Sequence, residues 1–217
     1  MTVAFDPVHA DTIYLNGCDY VVKSTDGGKL FKWSNSGYGG VMCFSRFNFN
    51  PFDPDLILYT SQDYNAALTT NGGADWIRED VSGQGTYGFT YGGYAFDRQH
   101  MFAAAASSWT APRYIYTSFD GGSNWTRTDA HARGGATDAA CPDPSDPKVA
   151  FWSCYRTGDQ GRTWNQMQEC DVVFTYSAGP DHALFGADKG NVMTSHDHGI
   201  SWTVIAKSPF SQITDLA

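Results

Sequence analysis

The chain has 217 residues, a formal net charge of −9, 41% apolar residues and 15% aromatic residues. That apolar content is that of a folded domain, and the acidity argues against a partner built on a phosphate backbone, so no nucleic acid is expected. No apolar run reaches the roughly 18 residues that a membrane-spanning helix needs.

Residue types narrow the fold class further. Of 23 acidic residues only Glu79 and Glu169 are glutamate, and glycine also numbers 23. Asp and Gly favour turns, whereas Glu, Lys and Leu fill helices, so the balance argues against a helical protein. Cys18, Cys43, Cys141, Cys154 and Cys170 form no CxxC pair and no His-spaced zinc cluster; they read as small core residues, with one or two bridges possible in principle. The opening Met1-Thr-Val-Ala-Phe-Asp-Pro7 carries neither a basic region nor a hydrophobic stretch, so this chain holds no signal peptide.

Taken in chain order, strand-like runs fall in groups of four. The first group is 2–6, 12–17, 20–24 and 30–34. The second is 44–48, 56–61, 66–70 and 75–79. The third is 93–97, 101–107, 114–118 and 124–128. The fourth is 137–141, 149–154, 155–157 and 163–167, and the fifth is 172–176, 183–186, 191–195 and 201–205. Between the first two runs of a group stands an Asp-Pro, Asn-Pro or related pair, as at Asp6-Pro7, Asn50-Pro51, Asp97-Arg98, Asp143-Pro144 and Gly179-Pro180. Proline there cannot continue a central ladder.

Between the last two runs of every group one pattern recurs: Ser/Thr-x-Asp/Asn-x-Gly-x-x-aromatic. It reads Ser24-x-Asp26-x-Gly28-x-x-Phe31, Thr69-x-Asn71-x-Gly73-x-x-Trp76, Ser118-x-Asp120-x-Gly122-x-x-Trp125, Thr157-x-Asp159-x-Gly161-x-x-Trp164 and Ser195-x-Asp197-x-Gly199-x-x-Trp202. Successive Asp/Asn positions lie 45, 49, 39 and 38 residues apart. The hydroxyl ends a strand, the carboxylate or amide accepts bonds from the following turn, the glycine takes a positive φ, and the ring opens the next strand. Asp26, Asn71, Asp120, Asp159 and Asp197 are therefore read as structural.

Four antiparallel strands in about 43 residues, repeated five times, predict an all-β fold, a β-propeller with four-stranded blades. The blades fall at about 1–36, 41–80, 88–130, 135–168 and 170–207, within one domain spanning 1–217. Residues 208–217 read as one more strand, which either closes a five-bladed ring or opens a further blade. The second reading, a portion of a larger propeller, is favoured.

The five motifs resemble the Asp-box, or bacterial neuraminidase (BNR), repeat, across essentially the whole chain. That repeat occurs in sialidases, in two-propeller xyloglucan-active glycoside hydrolases, in sortilin-type receptors and in photosystem assembly factors. The order Ala4-Phe-Asp-Pro7, Thr12-Ile-Tyr-Leu15, Ser24-Thr-Asp-Gly-Gly28 is most similar to the xyloglucanase type. The sialidase pattern fits less well, since no Arg-Ile-Pro segment occurs and glutamate is scarce. The resemblance implies a secreted or cell-surface protein, a polysaccharide or glycan partner, and further blades or domains in the parent protein. It specifies fold more than function, because the box lies on the turn away from the usual active face.

In xyloglucanase-type enzymes a catalytic Asp pair occupies blade loops. Here Asp19, Asp63 and Asp188 precede their box positions by 7, 8 and 9 residues. The similarity points to Asp19 and Asp63 as general acid and base; an inverting pair holds its carboxyls roughly 6.5–9.5 Å apart. For substrate binding the expected residues are Trp109 with Arg113, Tyr38 in a Gly-rich loop, Tyr91 in the stretch 83–93 with Tyr87, Phe89 and Tyr94, and Asp188. Exposed rings suit the flat faces of sugars, and Arg113 offers paired donors. His196-Asp197-His198 supplies no third ligand, so no metal is expected, and nothing points to a cofactor. A non-catalytic scaffold that presents the same loops to a protein stays open as the alternative.

Overall fold

The computed structural model describes residues 2–17, 20–38, 46–85, 87–132, 139–167, 173–175, 183–188 and 190–209. Its strands form five antiparallel sheets of four, each in chain order, with no helix among the described residues. The first sheet is β1 (Thr2–Phe5), β2 (Ile13–Asn16), β3 (Val21–Ser24) and β4 (Lys32–Trp33). The second is β5 (Arg46–Phe49), β6 (Ile57–Thr60), β7 (Ala66–Thr69) and β8 (Ile77–Glu79), and the third is β9 (Phe89–Ala95), β10 (Met101–Ala106), β11 (Arg113–Ser118) and β12 (Thr126–Ala132). The fourth comprises β13 (Ala140–Pro142), β14 (Ala150–Trp152), β15 (Tyr155–Thr157) and β16 (Asn165–Gln166). The fifth comprises β17 (Val173–Thr175), β18 (Leu184–Asp188), β19 (Asn191–Ser195) and β20 (Thr203–Lys207).

The chain divides into two compact units, Met1–His131 and Ala132–Ala217. In the first, Tyr14, Phe47, Ile57, Tyr59 and Trp76 pack sheets one and two together. Leu56, Leu58, Met101, Ala103 and Ala105 do the same for sheets two and three. The Ala103–Ala106 run of β10 and Gly93 of β9 keep this second junction thin: a Cβ on Gly93 would lie 2.8 Å from Leu58 Cδ2. In the second unit Val149, Phe151, Leu184 and Met193 form the core, with Trp202 against it.

One stretch departs from the sequence reading. Residues 89–95 are a strand, not part of a glycine-rich loop, so β9 begins four residues before the expected 93. The strand is buried almost throughout and bulged at Tyr91, so Gly92 and Gly93 lie within it and Tyr91 and Tyr94 are buried. Cys141 stands in β13 and Cys154 is buried; Cys18, Cys43 and Cys170 lie outside the described residues, as do 210–217 of the expected extra strand.

All five repeated turns share one hydrogen-bond pattern. The Ser/Thr hydroxyl donates to the Asp/Asn side chain at 2.7–2.9 Å, and accepts the glycine N–H at 2.9 Å every time. The same Asp/Asn oxygen accepts an N–H four residues on, at 3.0 Å from Leu30 and 2.9 Å in the other four. Two consecutive residues take positive φ: the glycine and the residue before it, which is Gln160 (59°) and His198 (58°) in the last two turns. A second set of side chains closes the turns between the first two strands. Oδ1 of Asp6, Asn50, Asp97 and Asp143 accepts two backbone N–H groups from the residues two and three positions on.

Glu79 is the buried exception. It closes β8 beneath the third repeated turn, where it accepts the Trp125 indole N–H at 3.3 Å and fills the space a Cβ on Gly122 would take. Burial pushes its carboxyl up from 4.5 to about 7, with the indole N–H opposing and Asp120 adding to the rise. A group raised on folding stabilises fully below its unfolded pKa, and that contribution fades as pH rises through the folded one. Thermal unfolding should therefore show stability falling from about pH 5 to pH 8, and Glu79→Gln should flatten that slope. The depressed carboxyls of Asp6, Asp97, Asp143 and Asp159 act in a separate window, losing their contribution below the ordinary 3.8.

Candidate functional site

Up-and-down sheets place their connections at two ends. The repeated turns and the Asx turns share one end, and at it the N–H of the residue before the box glycine bonds back to Asp11, Asp55, Gln99 or Lys148 O. The connections between second and third strands, and those between sheets, therefore share the other. In the first unit this second end carries residues 61–65, 80–85, 87–88 and 107–112.

Asn65 organises it. This residue takes a left-handed φ of 65°, and its side chain accepts Val81 N–H at 3.1 Å while donating to Asp80 Oδ1 at 2.9 Å and Gly85 O at 3.1 Å. Its backbone N–H reaches Gly88 O at 3.0 Å, which sets Gly88 so close that a Cβ would meet the Asn65 amide at 2.6 Å. Thr90 Oγ1 accepts Ser61 N–H at 3.0 Å and donates to the carbonyl oxygens of Ser61 and Asn65. The inter-sheet loop 80–88 is thus tied to the 61–65 connection by buried polar bonds.

A row of rings stands on this support. Tyr87, 67% exposed, leans on Tyr64 with centroids 5.4 Å apart. Two residues on, Phe89 meets Trp109, which is 61% exposed, edge to face at 6.2 Å. Next, Tyr91 is the extra residue of a bulge, where Ala105 pairs with Thr90 and Ala104 with Gly92. Bulges re-aim side chains. Here the Arg113 guanidinium lies over the Tyr91 ring at 3.6 Å. Burial, and then the Asp63 carboxylate, raise the Tyr91 phenol, while Arg113 opposes both; burial lowers the Arg113 guanidinium. Asp63, Tyr91 and Arg113 therefore share one neighbourhood.

The residues singled out from sequence are distributed unevenly. Trp109 is exposed as expected, and Arg113 is beside Tyr91 rather than free in a loop. Tyr38 and Tyr91 are buried, which corrects the expectation of open stacking rings. Tyr38 belongs to the first core, donates to Tyr64 O at 3.0 Å and lies beneath Arg78. Asp188 ends β18 opposite Asn191, not in a loop. Asp19 lies outside the described residues. The His196-Asp197-His198 segment is a turn, in which Asp197 bonds Ser195 and Ser201 and His198 Nδ1 faces Asp143 Oδ2 at 2.9 Å. Among the described residues no three His, Cys, Asp or Glu side chains could hold a metal ion. Asn65, Tyr64 and Thr90 were not singled out; the signal available was Asn65 itself, since Asn adopts the left-handed region more readily than other residues bearing a Cβ.

No family model matches this chain, and no curated protein matches it in sequence. Solved structures do. An ancestral GH74 enzyme superposes with a TM-score of 0.62 at 18% identity, over 94% of this chain and 30% of the other. The GH74 xyloglucanase from Xanthomonas campestris gives 0.54 at 15% identity, over 92% and 36%. The extracellular domain of a B. thetaiotaomicron protein described as a one-component system gives 0.54 at 10%, over 96% and 31%. The chain thus spans about a third of the length of these neighbours. Its fold is that of β-propeller blades.

The central role of Asn65 is open to measurement. Asn65→Ala should destabilise by about 2–4 kcal/mol, since it strands Val81 N–H and puts a Cβ-bearing residue without a compensating bond at positive φ. Asn65→Gly should cost less, because it relieves the backbone and loses only the bonds; equal losses in denaturant unfolding would refute the backbone component.

Proposed function

We propose that this chain is an Asp-box β-propeller portion of an extracellular, xyloglucanase-like glycoside hydrolase, and that its ring-bearing end recognises glycan. The observation that carries this reading is the pair of exposed rings, Tyr87 and Trp109, each braced by a second ring, with Tyr87 on a loop tied down by Asn65. Rings held in this way lose little freedom on binding and offer flat apolar faces to pyranose C–H groups. Arg113, held over Tyr91, is the candidate N–H donor of the same end. The GH74 neighbours support a sugar partner.

Asp63 is the carboxylate of this neighbourhood and the candidate general acid or base, with Asp19 proposed as its counterpart; Asp188, in the second unit, is proposed separately as a substrate-binding residue. The remaining blades of a larger propeller would supply the rest of the cleft. A protein-binding scaffold is the competing reading for the same exposed rings.

Calorimetry with a xyloglucan oligosaccharide separates the two. Trp109→Ala and Tyr87→Ala should each weaken binding about tenfold, equivalent to roughly 1.4 kcal/mol, with thermal stability unchanged. Asp63→Asn should leave binding nearly intact and remove hydrolysis by the whole enzyme. Absence of binding to xyloglucan and other neutral glycans would favour the scaffold.

A further inference from the structure

The third repeated turn carries a feature that neither the fold nor the ring-bearing end explains. Asn124-Trp125-Thr126 is the one Asn-x-Ser/Thr triplet of the sequence. A triplet of this form, with any residue but proline in the middle, is the acceptor of an N-linked glycan in a secreted chain, provided that it lies at the surface. Here it does. Asn124 and Thr126 are exposed, while Trp125 between them packs on the core of sheets two and three, where its indole donates to Glu79 Oε2. The amide and the hydroxyl of the triplet are thus turned outward and its ring inward.

The turn also has a donor to spare. In the last two repeated turns the side chain four residues after the box Asp closes the motif: the Thr163 hydroxyl donates to Asp159 Oδ2, and the Ser201 hydroxyl to Asp197 Oδ2, each at 2.6 Å. Asn124 occupies the same place in the third turn, and its Nδ2 donates to Asp120 Oδ2, also at 2.6 Å. In the second turn the roles are exchanged, with Asn71 Nδ2 donating to Asp75 Oδ2 at 3.3 Å. A hydroxyl has one hydrogen to give, so Thr163 and Ser201 show that one donor is enough. A primary amide has two. The second Nδ2 hydrogen of Asn124 meets no acceptor among the described residues.

We infer that Asn124 is an N-glycosylation site, an inference that rests on the extracellular reading above. Transfer breaks the bond between C1 of the sugar and the oxygen of a lipid diphosphate donor, and forms a C1–Nδ2 bond. The lipid diphosphate leaves with the bonding pair, and one Nδ2 proton passes to a base of the transferase. The secondary amide that results keeps one N–H, the number this motif needs, so the box closes with the sugar attached. Asn124 lies at the turn end of the first unit, so the glycan stands away from Tyr87 and Trp109 and leaves the ring-bearing end open.

The experiment is expression of the whole chain behind a cleavable leader in a eukaryotic host. Intact mass is read before and after peptide N-glycosidase, on secreted and cell-retained protein alike. Wild type should carry one glycan, and its enzymatic release should convert residue 124 to aspartate. Asn124→Gln and Thr126→Ala should each abolish the glycan. Thr126→Ala keeps the Asn124 amide and the closed box, so its thermal unfolding midpoint should match that of glycosylated wild type. Trp109→Ala should keep the glycan whether or not the chain binds xyloglucan, which separates this site from the ring-bearing end. Unmodified wild type, a glycan that persists in either acceptor variant, or glycosylated wild type that unfolds below Thr126→Ala would each overturn the assignment.

Discussion

The hydrogen bond from a Ser or Thr hydroxyl to the Asp or Asn two residues later is the constraint from which the rest follows. It orients the side-chain oxygen that caps the turn, while the same hydroxyl collects the glycine N–H. The turn is then complete without help from outside, and it can be repeated wherever the sequence supplies its four marked positions. Neighbouring sheets read its finished shape. Tyr14 OH and Lys23 Nζ both donate to Gly72 O, and Arg156 Nε donates to His198 O at the equivalent place in the second unit. Lys23 and Arg156 each stand immediately before their own sheet's turn hydroxyl. Sheet-to-sheet packing is thus written in the same short motif as the turn itself.

Because one end of every sheet is committed to these turns, the variable chemistry of the first unit gathers at the other. There Asn65, Thr90 and Gly88 supply the support between the second and third sheets, and the bulge at Tyr91 occurs in the strand that follows. Buried polar bonds of this kind are costly to leave unmade, so they hold a loop in one conformation. Tyr87 inherits that rigidity, and Trp109 meets it through the ring of Phe89.

The sequence disclosed the repeated end well and the unique end poorly, for a physical reason. A turn that closes on itself needs only local residue types, so Ser24, Asp26 and Gly28 announced both their conformation and their partners. What local reading missed at that end was the second left-handed position, since Gln160 and His198 carry a Cβ where the first three turns have glycine. At the other end contacts join residues 15 to 29 positions apart, as between Asn65 and Asp80 or Ser61 and Thr90. No local pattern encodes them. The ring of Trp109 was legible because polar neighbours flank it, whereas Tyr38 and Tyr91 sit among glycines that in this fold belong to tight packing and to a strand, not to open loops.

The two ends therefore present different surfaces to solvent: braced aromatic rings at one, self-closed polar turns at the other. Indole N–H signals of the tryptophans report on both at once. Titrating the folded chain with a neutral xyloglucan oligosaccharide, followed by nuclear magnetic resonance, is the most direct test. The Trp109 indole signal should move progressively while those of Trp33 and the buried Trp76 stay in place. Movement of Trp33 in preference to Trp109, or no movement of Trp109 at saturating sugar, would contradict the assignment of glycan recognition to the ring-bearing end.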